Sequence, residues 1–222
     1  MSFKVEFKNY LDDLHKSLCE VSDWMYENPE LGFQEFKTSK HLVDYIQKNS
    51  KSVNYPSHGL ETAFDVTFGE DGPLVVICVE YDALPEIGHA CGHNIIATAS
   101  IGAGLGLKDI ASKLGIRVKL LGTPAEEGGG GKIILINEGA FEDASCSMMI
   151  HPGYEDVVNP TFTTIEQYTV EYFGKDAHAA GAPDQGINAL DAQIQLFVNA
   201  STYRQQMVQS NRMHGVIREG GF

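Results

Sequence analysis

Apolar positions along the first fifty residues repeat with helical spacing. Between residues 4 and 27, Phe7, Tyr10, Leu11, Leu14, Leu18, Val21 and Trp24 recur three and four apart, which predicts an amphipathic helix. Pro29 and Gly32 in NPELGFQE interrupt the pattern. A second helix is predicted over 35–49, with Phe36, Leu42, Val43 and Ile46 on one face. The period then changes. Thr62–Phe68 alternates, and Leu74–Tyr81 is a continuous run rich in β-branched residues, as expected of a central strand buried on both faces. Residues 94–113 are small and apolar, which suits a helix lying close against a sheet. Val118–Leu121 reads as a strand, Ile133–Gly139 as a helix ending at glycine, and Met148–Ile150 as a strand end. The order α, α, β, β, α, β, α, β predicts an α/β sandwich.

After that the pattern thins. Residues 154–164 read as a linker, Tyr168–Phe173 as an alternating strand, and Ala189–Met207 as an amphipathic helix carrying Leu190, Ile194, Phe197, Val198 and Tyr203. Val216–Ile217 reads as the start of a further strand. The 222 residues therefore divide into one large domain and part of another.

Composition narrows the functional classes. With 30 acidic residues against 16 Lys and Arg, the formal net charge is −14. That balance argues against nucleic acid or an anionic membrane surface as partner. No stretch has the length of a membrane helix or the layout of a signal peptide. The four cysteines, Cys19, Cys78, Cys91 and Cys146, are scattered, which reads as reduced thiols in a cytoplasmic protein.

Three segments that follow predicted strands concentrate the reactive side chains, where α/β folds place their ligand sites. EYDALPEIGHACGHN, residues 80–94, holds Asp82, Glu86, His89, Cys91 and His93. Cys91 and His93 are one glycine apart and able to reach a common ion, and thiolate, imidazole and carboxylate are ligands that zinc and its neighbours accept. The plainer alternative is a small buried cysteine beside packing histidines. GTPAEEGGGGK, residues 122–132, sets Glu126 and Glu127 before four glycines. Adjacent residues in extended chain point apart, so one glutamate suits a metal and the other substrate or water. A phosphate loop is excluded by Glu126 where a glycine is needed and by Ile133 after the lysine; a solvated loop is the alternative. MMIHPG, residues 148–153, adds His151 at a strand end. Together the segments offer Cys91, His93, Glu127 and His151 as ligands, Glu126 as general base, and Asp82 and Glu86 to orient ligand histidines. These are the parts of metal-assisted hydrolysis. GKDAHAAGAP, residues 174–183, adds His178 in a turn before a helix, where a simple loop histidine is the alternative.

These motifs, in this order and spacing, resemble the dinuclear metal-dependent peptidases and amidohydrolases of the aminoacylase and carboxypeptidase G type. The likeness is greatest to the branch holding Xaa-Arg dipeptidase and one component of aminobenzoyl-glutamate hydrolase. The resemblance implies a zinc-peptidase-like α/β sandwich catalytic domain, here residues 1–162. Into it a ferredoxin-like α+β lid and dimerisation domain is inserted, here residues 163–222. It implies two divalent ions, Zn or Mn, with Cys91 bridging and His93, Glu127 and His151 completing the ligands available in this sequence. It implies a metal-bridged hydroxide with Glu126 as general base, and His178 reaching across a homodimer to the partner's oxyanion. Asn188 and Arg204 match lid positions near substrate. The implied substrate is a small peptide or N-acyl amino acid.

Two departures accompany the likeness. Asn94 stands where many such amidohydrolases have aspartate after CGH. The family's chain returns from the lid to supply a last histidine ligand, whereas this sequence ends at REGGF, so a C-terminally truncated chain is expected. The leading reading is a metallo-amidohydrolase. The alternative is a truncated, inactive fragment retaining part of the metal site. A purely structural zinc module is disfavoured by the free Glu126 and the absence of CxxC pairs.

Overall fold

The computed structural model describes residues 2–50 and 52–221, and the chain divides into two compact units after Val157. The first unit begins with α1 (Phe3–Glu27), which buries Leu14, Val21 and Met25. It stops at Asn28, whose side-chain amide donates to the Trp24 carbonyl at 2.8 Å just before Pro29. Helix α2 (Phe36–Asn49) buries Leu42, Val43 and Ile46.

Four strands follow: β1 (Asp65–Phe68), β2 (Leu74–Val79), β3 (Arg117–Gly122) and β4 (Ala144–Met148). They form one mixed sheet in the order β1-β3-β2-β4. Strand β2 runs parallel to β3 and to β4, and β1 runs antiparallel to β3. The apolar run of β2 is explained by its central place. Ile77 and Val79 join a core with residues of α1, α2 and α3 (His93–Leu107). Leu74, Val76 and Cys78 face the other way, onto Leu135 of α5 (Gly131–Asn137). Helices thus cover both faces, which is the α/β sandwich the pattern predicts.

The helix predicted over 94–113 is two pieces. It breaks after Leu107, where the Lys108 amide bonds only three residues back to Leu105 and its ammonium reaches the Asn49 carbonyl at 2.7 Å; the chain then forms α4 (Ala111–Leu114). Strand β4 lies earlier than predicted, so the residues after Met148 are loop.

The second unit holds α6 (Ala189–Tyr203) and a short 3₁₀ turn at Arg204–Gln206. The strand predicted at Tyr168–Phe173 does not form, nor does one at Val216–Ile217. A strand is defined by its ladder, and among the described residues of this unit the pairing is a single bridge between Lys175 and Ile187. The predicted apolar face of α6, with Leu190, Ile194, Phe197, Val198 and Tyr203, stays exposed. Among the described residues no helix is long and apolar enough to cross a membrane.

The small residues of α3 have a specific use. A Cβ on Gly104 would come 2.5 Å from the side chain of Leu120, which is fully buried in β3. Alanine gains about 1 kcal/mol of helix propensity over glycine, while overpacking a core costs about 1–3 kcal/mol. Gly104→Ala is therefore expected to destabilise the protein by about 1 kcal/mol net in urea unfolding; a rise in stability would show that helix and strand are less tightly apposed.

Candidate metal centre

Loops leaving the carboxyl ends of β2, β3 and β4 meet at one edge of the sheet. Just past β2, Glu80 and Asp82 share a side because alternate residues of extended chain do. Tyr81 between them is fully buried, its hydroxyl donating to the Thr62 carbonyl at 2.7 Å. The chain then turns into α3 through Gly92, whose φ of 81° is left-handed and suits glycine. His93, the first residue of α3, is thereby aimed back at the strand ends.

His93 is 1% exposed. Its Nδ1 lies 3.0 Å from Asp82 Oδ1. Its Nε2 is buried without a hydrogen-bond partner. That nitrogen faces three carboxylates: Glu80 Oε2 at 3.5 Å, Glu127 Oε1 at 3.6 Å and Glu126 Oε2 at 3.9 Å. The other Asp82 oxygen accepts the Glu127 amide at 2.9 Å. One carboxylate therefore orients the imidazole and anchors the glutamate turn. Glu80 is also held by the Lys132 ammonium, while its Oε2 lacks a partner.

The charges respond to this crowding. Burial disfavours a charge on His93, yet the hydrogen bond and charge of Asp82, with Glu80 and Glu127, hold its pKa above the ordinary value. Burial likewise opposes the Asp82 charge, but His93 and the Glu127 amide keep this carboxyl below its usual range. Glu126 is pushed up by burial and by Glu80. The Cys91 thiol rises to about 11, first through its bond to Glu127 and then through burial. Burial, neighbouring charge and hydrogen bonding thus pull these groups in opposite directions within one small space.

Ligand atoms of His93, Glu126 and Glu127 lie within 4.8 Å of one another. An unpartnered imidazole nitrogen ringed by carboxylates is what a divalent cation would satisfy, and the donor set suits zinc or manganese. The residues present fit such an ion. The predicted ligand Cys91 stands outside this trio, its thiol interacting with Glu127. His151 is exposed and stands edge-on to His93, with ring centroids 6.2 Å apart, and its Nδ1 is 2.7 Å from the Pro152 carbonyl. Glu126 lies inside the cluster rather than apart from it. Glu86 sits exposed at a turn with φ 67°, and Asp82 alone of the two acids bonds a histidine there. His89 is buried with neither ring nitrogen paired, and burial lowers its pKa.

In the second unit, His178 is exposed and its Nδ1 accepts the amides of Gly181 at 2.9 Å and Ala180 at 3.2 Å. Asn188 is the N-cap of α6, its Oδ1 accepting the Leu190 amide at 3.0 Å. Arg204 donates to Ser201 Oγ at 2.9 Å. Sequence reasoning missed Glu80 and Glu35. Glu80 had a signal, since it is the first charge at the end of the most apolar run. Glu35 reads as an ordinary helix-start residue until Ala125, ninety positions away, is seen to bond it at 2.8 Å.

Among solved structures, one from Bacillus subtilis described as a dinuclear metal binding peptidase of the M20 family matches with a TM-score of 0.55 and 25% identity, over 61% of this chain and 42% of that one. The chain belongs to this family of dinuclear metallopeptidases and amidohydrolases. It is 39% identical to the Xaa-Arg dipeptidase of Mus musculus over 95% of this chain and 52% of the relative. It is 36% identical to the Xaa-Arg dipeptidase of Homo sapiens over 98% of this chain and 54% of the relative. The chain thus spans about half the length of the curated relatives it matches. No family model matches it.

Replacing a residue that orients a metal ligand costs about 10–100-fold in metal affinity. Asp82→Ala releases both His93 and the Glu127 amide, so Zn²⁺ or Mn²⁺ affinity measured by calorimetry is expected to fall by about that factor. An unchanged affinity would remove Asp82 from the site's support.

Proposed function

We propose that the protein is a metal-dependent hydrolase of an amide bond in dipeptides or N-acyl amino acids, with Xaa-Arg or Xaa-Lys dipeptides as the first substrates to assay. The observation that carries this reading is the buried His93 Nε2, unpartnered and facing Glu80, Glu126 and Glu127. The kinship to Xaa-Arg dipeptidase supports it.

Cys91, His93, Glu127 and His151 would hold two divalent ions in the assembled site. When bound, the ions supply Lewis acidity toward the scissile carbonyl and the attacking water. Asp82 keeps the His93 proton on Nδ1, which leaves the Nε2 lone pair for a cation. Glu126, half exposed at 43%, is the residue of the cluster most open to substrate. It takes the proton of the attacking water and passes it to the leaving amine nitrogen. By the family likeness, His178 would donate to the developing oxyanion in a homodimer, and Asn188 and Arg204 would serve the substrate side of the lid. The GKDAHAAGAP motif supports the assignment of His178, GINALDA that of Asn188 and YRQQM that of Arg204. The free thiols of Cys19, Cys78, Cys91 and Cys146 suit a cytoplasmic setting.

The general base separates from the ligands by mutation. In the full-length protein, Glu126→Gln is expected to keep stoichiometric metal and to lose about 10²–10⁴-fold in kcat. Metal analysis and steady-state hydrolysis of an Xaa-Arg dipeptide check this. Full turnover by the variant would remove Glu126 from the chemistry.

A further inference from the structure

The segment NPELGFQE, between α1 and α2, touches both loops of the metal centre. The Glu30 carbonyl accepts the Ala83 amide at 2.8 Å, next to Asp82. Gly32 lies so close to the other loop that a Cβ there would stand 3.0 Å from Ala125 Cα. Glu35 ends the segment with a fully buried side chain. Its Oε1 accepts the Ala125 amide at 2.8 Å and its Oε2 accepts the Thr62 hydroxyl at 3.0 Å.

Ala125 immediately precedes Glu126 and has φ 57°, a left-handed conformation that a residue with a Cβ avoids. Something must hold it there. Its carbonyl accepts the Gly131 amide at 3.2 Å, and its amide has Glu35. Glu127, two residues on, is held separately by Asp82. Ligand and base thus have different anchors.

The chemistry of Glu35 is unusual for a purely structural group. Both oxygens meet neutral donors, and a buried carboxylate served only by neutral donors is expensive. Left-handed residues with a Cβ persist only where the surrounding structure holds them, and they cluster at functional sites. We propose that Glu35 is a positioning residue for Glu126, fixing the left-handed turn at Ala125 so that the base faces the metal centre. This rests on the function proposed above.

The test uses the full-length, metal-loaded protein. Glu35→Met keeps the length of the side chain and removes its oxygens. It is expected to lower kcat on an Xaa-Arg dipeptide by about 10²-fold while KM moves less than about threefold and metal content is unchanged. Glu35→Gln retains an oxygen for the Ala125 amide, and the Thr62 hydroxyl can turn to accept from its NH₂. It is expected to recover kcat to within about fivefold of the unmodified protein. Amide hydrogen exchange gives a readout without turnover: the Ala125 amide is expected to exchange faster in Glu35→Met and not in Glu35→Gln. Unchanged exchange in Glu35→Met, or an equal loss of kcat in both variants, overturns the proposal. If the unmodified protein hydrolyses no dipeptide or N-acyl amino acid, the proposed function fails and exchange at Ala125 alone decides the positioning role. Should Glu35→Met not fold, Gly32→Ala presses the same turn from its other side. It is expected to lower kcat about tenfold with KM unmoved, and unchanged kcat there overturns the proposal.

Discussion

Asp82 spends each of its two oxygens on a different part of the chain: one on the ring of His93, the other on the amide of Glu127. It stands at the end of the central strand, with a side chain fully out of water. The start of α3 and the turn after β3 are both fastened to it. A short, rigid carboxylate in that place converts two loop ends into one constellation. Glu80, two residues before it, adds a second buried negative charge on the same side.

Concentrating carboxylates in a poorly solvated place is costly unless positive charge compensates it. Part of the compensation is visible: Lys132 pairs with Glu80, and His93 is biased toward its protonated form. The proton on His93 and a divalent cation compete for the same lone pair, so metal binding and proton release are coupled. The fold can hold the cluster because the sheet edge beneath it is anchored by large apolar layers on both faces.

The elements of the first unit were legible because their hydrophobic periods are clean. The continuous β2 run demanded burial on both faces, and the small residues of α3 demanded a close neighbour. Boundaries were less legible. The break after Leu107 depends on Lys108 reaching Asn49, fifty-nine residues away. The alternation at Tyr168–Phe173 reads as a strand, but periodicity reports side-chain facing and carries no information about a pairing neighbour. At the site, residue types and spacing singled out Cys91, His93, Glu127 and His151 as ligands, Glu126 as base and Asp82 as an orienting acid; of these, His93, Glu126 and Glu127 cluster, with Asp82 bonded to His93 and to the Glu127 amide. Glu35 gave no such sign, since its partners are a backbone amide and a hydroxyl far along the chain.

By itself the sequence determined the α/β alternation, the acidic balance and the identities of the reactive groups, because these follow from residue type and local period. The tertiary structure alone decided which of those groups meet. It brought Glu80, Glu126 and Glu127 around one unpaired nitrogen, gave Asp82 its double attachment, and placed Glu35 beneath the turn that carries Glu126. Such meetings depend on strand order and loop closure, which are long-range and leave no local trace in the chain.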